Sequence, residues 1–204
     1  MCARICHDLV SPVGALGTAL EVLGDDANAD MHEDAMNLVK SSARQASAKL
    51  QYLRLAFGAG GSAPGMLGVA ELIKLADGVY GEGKVNLVWD SKVSVLEKTA
   101  ARLLLNMIML GVNSIPFGGD LHITPEDHGD TVSLTLKASG NKARLADFVP
   151  ITFAGKAPEI GFDGRTIQPF YAGMIAREAK GQIEASFDDG VVTLKAVLPK
   201  VVVL

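Results

Sequence analysis

The stretch ICHDLVSPVGALGTALEVL, residues 5–23, decides the fold of the N-terminal part of this chain. Its large apolar side chains recur at steps of four, four, three, four and three residues, the spacing of one face of an α-helix. We call this face the apolar stripe, and it consists of Ile5, Leu9, Val13, Leu16, Leu20 and Leu23. The stretch therefore predicts a first helix with its apolar stripe facing a core.

A second long helix is predicted after a reversal of the chain. Residues Gly24 to Asp30 are rich in Gly, Asp and Asn, which favour turns. Apolar side chains then recur at near-heptad spacing from Met31 to Phe57, a length of roughly 40 Å as an α-helix. The two helices are predicted to form an antiparallel hairpin.

Such a hairpin leaves apolar side chains uncovered, because each helix has only one neighbour. We therefore expect a homodimer in which two hairpins form a four-helix bundle. The segment GAGGSAPG, residues 58–65, has the composition of a linker or a sharp helix stop. It predicts a hairpin domain over residues 1–60 and a second domain over residues 66–204.

The second domain alternates between helical and strand periodicity. Helices are predicted near residues 69–79, 96–113 and 167–180, and strands near 85–89, 121–124, 131–137, 182–187 and 191–198. Helices that alternate with hairpins in this way are typical of a two-layer α/β sandwich. The predicted fold class is thus α+β, with a helical hairpin followed by a sandwich.

Composition restricts the classes of partner. The 204 residues carry a net charge of −4 and have a pI near 5.5, which argues against nucleic acid and anionic membranes. The longest apolar runs are far shorter than the roughly 20 residues of a membrane span. Cys2 and Cys6 lie four residues apart on the predicted helix, where a disulfide is disfavoured. These features predict a cytoplasmic protein. Cys2, Cys6 and His7 have no evident fourth ligand beside them, so no metal site is predicted.

His7 is the first candidate functional residue. It lies two residues before Leu9, about 200° around the helix, so that its side chain should point away from the hairpin core. The same face continues through small or polar residues that would let another backbone approach closely, namely Ser11, Gly14, Thr18 and Glu21. Pro12 lies inside the helix, where proline removes a hydrogen bond and distorts the backbone. An exposed helical histidine without a function remains the alternative.

The string HDLVSPVGA, residues 7–15, resembles the phosphoacceptor box of bacterial sensor histidine kinases. It is most similar to that of the ChpT-type histidine phosphotransferases of alphaproteobacteria, as is RLAFGAGG at residues 54–61. The resemblance runs along the whole chain, and residues 167–199 are similar to the last helix and hairpin of a histidine-kinase ATPase domain. It implies a phosphorelay protein in which His7 carries the phosphoryl group.

The resemblance also implies roles for further groups. Asp8 would orient or deprotonate the His7 imidazole, although a solvated carboxylate favoured by the helix dipole is the alternative. The partners would be receiver domains of a hybrid histidine kinase and of response regulators, with magnesium bound by the receiver. A non-catalytic dimeric scaffold that binds receivers, and a degenerate histidine kinase, stay open as other functions.

The chain departs from the ATP-binding pattern of active kinases at three places. Around Asn106, the positions four before and four after hold Arg102 and Leu110, which bind no magnesium. The segment KASGNKARL lacks the aspartate that reads adenine, and DGRTIQPFYAG replaces a glycine-rich phosphate loop. We therefore expect no ATP cofactor and no autokinase activity.

The antiparallel pairing predicts where a receiver docks. His7 should lie level with residues 46–48 of the second helix. A receiver would then cover the face formed by Val10, Ser11, Gly14 and Thr18. Arg54 lies toward the start of the first helix, where it would neutralise phosphoryl charge, or else it is a solvated arginine.

Overall fold

The structure is a computed structural model that describes residues 2–58, 65–159 and 161–200. The predicted boundary at residue 60 lies outside the described residues. None of the described helices is long and apolar enough to cross a membrane. In chain order the elements are α1 (Cys2–Leu23), a 3-10 helix (Asp26–Met31), α2 (His32–Ala56), β1 (Met66–Gly68), α3 (Val69–Tyr80), β2 (Val85–Trp89), β3 (Val95–Glu97), α4 (Lys98–Ser114), β4 (Gly119–Asp127), β5 (Thr131–Ser139), α5 (Phe148–Phe153), α6 (Ile167–Glu178), β6 (Gln182–Asp188) and β7 (Val191–Pro199).

The α1–α2 hairpin forms as predicted, but its contact face differs from the predicted one. Pro12 and Ala19 are buried on α1, whereas Val13 and Leu20 of the apolar stripe are 54% and 58% exposed. Small side chains at the contact let two helices approach closely, and the larger apolar side chains then remain on the flank. The prediction that the whole apolar stripe faces a core is therefore wrong for the single chain.

The sandwich consists of a mixed five-stranded sheet with helices on one face. The strand order is β2-β4-β5-β7-β6, with a parallel β2–β4 pair and antiparallel pairs elsewhere. Alternate residues of β5 and β7 are buried, as expected of a sheet covered on one side. Helix α4 lies against this face and is buried along most of its length. The predicted α+β class and two-layer sandwich are confirmed.

The end of α2 is attached to the sandwich by polar contacts that we call the α2 clamp. The Nδ2 atom of Asn106 donates hydrogen bonds to the carbonyls of Ala56, at 2.7 Å, and Arg102, at 2.8 Å. The Tyr171 hydroxyl donates to the carbonyl of Phe57 at 3.2 Å and accepts from Arg102 Nη2 at 2.5 Å. The clamp thus satisfies the last carbonyls of α2, which have no partner within their own helix.

Two further features hold α2 against the sandwich. Gly58 has φ +76°, and a Cβ there would lie 2.6 Å from Arg102 Nη2, so a larger residue would displace the clamp. The Tyr52 hydroxyl donates to the carbonyl of Leu105 at 2.7 Å. Burial, with Tyr80 beside it, raises the pKa of Tyr52 well above its usual value, so the hydroxyl stays a donor. The last turns of α2 belong to the same apolar core as the sandwich.

Candidate functional site

His7 lies in the second turn of α1, on the face turned away from α2. Its side chain is 80% exposed, in agreement with the prediction from its position relative to Leu9. Helix α1 continues without a break past Pro12, whose own side chain is buried. The imidazole is therefore presented to a partner on a regular helix, close to a residue that alters the backbone hydrogen bonding.

Asp8 contacts the imidazole of His7 directly. The Nδ1 atom of His7 lies 3.0 Å from Oδ1 of Asp8, and the Asp8 side chain is only 17% exposed. A carboxylate has only acceptor atoms, so Nδ1 donates the proton in this pair. The lone pair of a neutral imidazole then lies on Nε2, the nitrogen that a partner can reach.

The four residues predicted to receive a partner on α1 all lie on its accessible surface. Val10 is 67% exposed, and Ser11, Gly14 and Thr18 are also exposed. A Cβ added at Gly14 would meet no atom within 4 Å. Together with His7 these residues form a continuous surface along α1, which we call the His7 face.

Arg54 lies apart from the His7 face. It is exposed near the end of α2 and lines a shallow depression with Ile5, Leu50 and Phe57. Ile5 belongs to the first turns of α1 and lines the same depression, so Arg54 lies toward the start of α1. The structure thus places Arg54 beside the flank of the hairpin and the other four residues beside His7.

Sequence reasoning missed one residue at this site. Lys49 of α2 reaches across the hairpin, and its Nζ atom donates a hydrogen bond to the backbone carbonyl of Asp8 at 3.2 Å. Lys49 is half-buried and lines a cavity with Asp8, Tyr52 and Tyr80. The predicted level of His7, opposite residues 46–48, already pointed to this part of α2.

The sandwich contains another concave region, between the end of α4 and the segment that leads into α5. Its lining includes Leu110, Asn113, Arg144, Phe148 and Arg165. Leu110 occupies the position four residues after Asn106, and its apolar side chain faces this cavity. Asn106 itself is fully buried and points toward the end of α2.

The turn before α6 is built around Asp163. Its Oδ1 accepts hydrogen bonds from the backbone N–H groups of Arg165 and Thr166, each at 2.8 Å. The Thr166 N–H contributes most to lowering the pKa of Asp163 to about 2, followed by the Arg165 N–H. The segment expected to replace a glycine-rich phosphate loop is thus a turn in which a carboxylate already occupies the N–H groups.

Comparison with solved structures identifies the fold. The chain superposes on the catalytic domain of the histidine kinase ThkA with a TM-score of 0.53, over 68% of this chain and 97% of that chain, at 17% identity. A bacterial phosphotransferase matches with a TM-score of 0.83 over 96% of this chain and 93% of the other, at 34% identity. The architecture is that of a phosphotransferase whose sandwich has the histidine-kinase fold.

Sequence comparison identifies the family. Residues 69–191 match the model of the histidine phosphotransferase C-terminal domain. The protein phosphotransferase ChpT of Brucella abortus (strain 2308) is 38% identical over 191 residues, which are 93% of this chain and 90% of that protein. The chain therefore belongs to the histidine phosphotransferase family, whose members act in phosphorelays. The resemblance found in the phosphoacceptor box is confirmed.

Proposed function

We propose that His7 carries the phosphoryl group between the receiver domain of a hybrid histidine kinase and those of response regulators. The observation that supports this most is an exposed imidazole whose Nδ1 is bonded to Asp8. Nε2 attacks the phosphorus of a receiver aspartyl phosphate while the bond from phosphorus to the aspartate oxygen breaks, and the electron pair leaves with the carboxylate. Asp8 keeps the proton on Nδ1 and stabilises the positive charge that develops on the ring.

Magnesium in this proposal belongs to the receiver and not to this chain. A neutral imidazole is a nucleophile without the help of a metal. The negative charge that magnesium would neutralise lies on the aspartyl phosphate, which belongs to the receiver. Asp8 is occupied with His7, and its function is to orient the ring. The chain thus needs no metal of its own for the transfer.

A transfer assay tests the carrier proposal. The protein is mixed with a receiver domain labelled as aspartyl phosphate, and the label that appears on this chain is treated with acid and with base. A phosphohistidine is labile in acid and stable in base. We therefore expect the label to survive the base treatment and to be lost in acid. A chain that binds the receiver but acquires no label would instead act as a scaffold.

We also propose that the sandwich binds no ATP. The Asn106 amide is fully buried and donates to two backbone carbonyls, so it is occupied within the fold. Leu110 offers no oxygen, although magnesium requires oxygen ligands. Arg102, four residues before Asn106, occupies the position of an acidic residue in active kinases, and it hydrogen bonds to Tyr171.

ATP with magnesium should therefore leave the melting temperature of the protein unchanged. A ligand of the folded state at a hundred times its Kd would stabilise the protein by about 2.7 kcal/mol, which is several degrees. Differential scanning fluorimetry with millimolar ATP and magnesium measures this directly. A rise that saturates with nucleotide concentration would favour the degenerate-kinase alternative.

The proposed receiver interface is the His7 face, with Arg54 as a receiver contact to one side of it, near the start of α1. Because nothing lies within 4 Å of a Cβ at Gly14, both Gly14→Ala and Gly14→Leu should fold. Alanine should stabilise the helix by up to about 1 kcal/mol, since glycine has a low helix propensity. Leucine should hold the receiver away from His7 and slow transfer at least about tenfold relative to alanine. Equal transfer rates in the two variants would place the interface elsewhere.

We further propose that the chain is a homodimer through its hairpin. Helix α1 leaves Val13 and Leu20 exposed, and α2 leaves Met36, Leu38 and Leu50 exposed to 41–50%. Such a concentration of apolar side chains on one hairpin is typical of an interface. Pairing two hairpins would bury these side chains in a four-helix bundle. Sedimentation equilibrium that gives the mass of one chain would contradict this.

A further inference from the structure

The hydrogen bond between Lys49 and Asp8 compensates for a bond that proline removes. In a regular α-helix the N–H of residue 12 donates to the carbonyl of residue 8. Pro12 has no N–H, and its ring also pushes that carbonyl away. Lys49 Nζ donates to the Asp8 carbonyl from the neighbouring helix, 41 residues along the chain. A side chain thus supplies the donor that the backbone of α1 lacks.

We propose that Lys49 is a positioning residue for the pair formed by His7 and Asp8, an inference that rests on the proposed role of His7. The direction of the Asp8 side chain depends on the orientation of the backbone at Asp8. Lys49 holds the carbonyl of that residue, and the carboxylate of the same residue accepts the proton of His7 Nδ1. Lys49 therefore acts on His7 through Asp8, without touching the imidazole itself.

The surroundings of Lys49 suit this task. Its side chain is half-buried in the cavity that Asp8 also lines, against Leu53, Val79 and Met109. Apolar side chains thus line the cavity beside the lysine stem, while the ammonium reaches the carbonyl. Partial burial strengthens a hydrogen bond from a charged donor, because water competes less for both groups.

A double-mutant cycle between Lys49 and Pro12 tests the inference. Methionine matches the lysine stem but has no N–H donor, so Lys49→Met should slow phosphoryl transfer about tenfold, the effect of losing a charged hydrogen bond. In a Pro12→Ala background the N–H of residue 12 is restored, and the same substitution should cost less than about twofold. Lys49→Arg keeps a donor and should restore most of the rate.

The matched control is Lys40→Met, which removes the same charge from an exposed position of α2. This variant should transfer at the wild-type rate. A second readout is the fraction of His7 imidazole protonated on Nδ1, measured by nitrogen NMR without any phosphate present. Lys49→Met should lower this fraction, whereas Lys40→Met should not.

The outcomes separate this inference from the carrier proposal. If Lys49→Met slows transfer equally in both backgrounds, or leaves both the rate and the tautomer unchanged, Lys49 is not a positioning residue. If label persists on a His7→Gln variant, the carrier proposal fails, whatever the cycle shows. If Lys49→Met loses helical structure, the comparison of Lys49→Arg with wild type decides, and loss of the Nδ1 tautomer despite the retained donor would overturn the inference.

Discussion

Replacing His7 by glutamine should abolish transfer of phosphoryl label to this chain. Glutamine is of similar size and has a good helix propensity, and the side chain is 80% exposed, so the fold should not change. It offers no nitrogen lone pair able to form a stable phosphoramidate. Loss of a nucleophile typically reduces the rate by about a thousandfold or more. The initial rate and the final amount of label per chain measure the effect.

The matched control for this variant is His122→Gln. His122 lies on β4, on the exposed side of the sheet, and its replacement removes a histidine without touching α1. It should accept label like the wild type. Label on the His7 variant at the wild-type level would show that another residue carries the phosphoryl group. An Asp8→Asn variant should be slower than the wild type by roughly tenfold to a hundredfold, because the amide can also donate a hydrogen bond to Nδ1 and so stabilises the unproductive imidazole tautomer.

Replacing Asn106 by alanine should lower the free energy of unfolding by about 1 to 3 kcal/mol. The substitution removes both hydrogen bonds of the amide and leaves the Ala56 carbonyl buried at the end of α2. The Oδ1 atom of Asn106 has no hydrogen-bond partner within the described residues, so its removal offsets part of the loss. Urea denaturation followed by circular dichroism measures the change.

Two comparisons sharpen the Asn106 prediction. Asn113→Ala changes an exposed asparagine of the same helix and should alter stability by less than about 0.5 kcal/mol. Asn106→Asp keeps the shape but sets a carboxylate against two carbonyls, so it should destabilise more than alanine does. Equal stability of the Asn106→Ala and Asn113→Ala proteins would mean that the Asn106 hydrogen bonds of the α2 clamp contribute nothing to stability.

Sequence periodicity was sufficient for the larger elements. The hairpin helices, α3, α4, α6 and the five strands of the main sheet all fall close to their predicted ranges. The exposure of His7 also followed from its position two residues before Leu9, because helix geometry fixes relative directions on one helix. The spacing of apolar residues predicts structure well wherever the whole periodic pattern lies within one helix or one strand.

Short elements were missed, since they contain too few residues for a period. Strands β1 and β3 have three residues each and, within the described part of the chain, form a separate two-stranded sheet, and α5 has six residues with Pro150 inside. Strand β4 also runs past its predicted end, through Pro125. Proline is tolerated there because the pairing of β4 with β2 ends at Ile123, so no ladder hydrogen bond from the residue 125 nitrogen to β2 is lost, while the Pro125 carbonyl still accepts from the Lys92 N–H.

Contacts between distant elements could not be read from spacing. Asn106 was interpreted from its place in a kinase motif, but its amide bonds to a carbonyl 50 residues earlier. The apolar stripe predicted that a hairpin forms. It did not predict which edge of the stripe faces α2, because that depends on the sizes of the residues at the contact. A side-chain donor such as Lys49 was predictable in principle, because Pro12 leaves the carbonyl of Asp8 without its backbone donor.

The α2 clamp has a consequence for signalling direction. The end of α2 and the sandwich share one core and several hydrogen bonds, so the hairpin that carries the histidine is anchored to the sandwich. If the anchored hairpin keeps one arrangement, the chain has no change of shape by which to prefer a donor at one moment and an acceptor at another. Under the proposed function, the partners therefore set the direction in which phosphoryl groups pass through this chain. The direction depends on the abundance of each receiver and on the fraction of its aspartate that is phosphorylated, as in a freely reversible exchange.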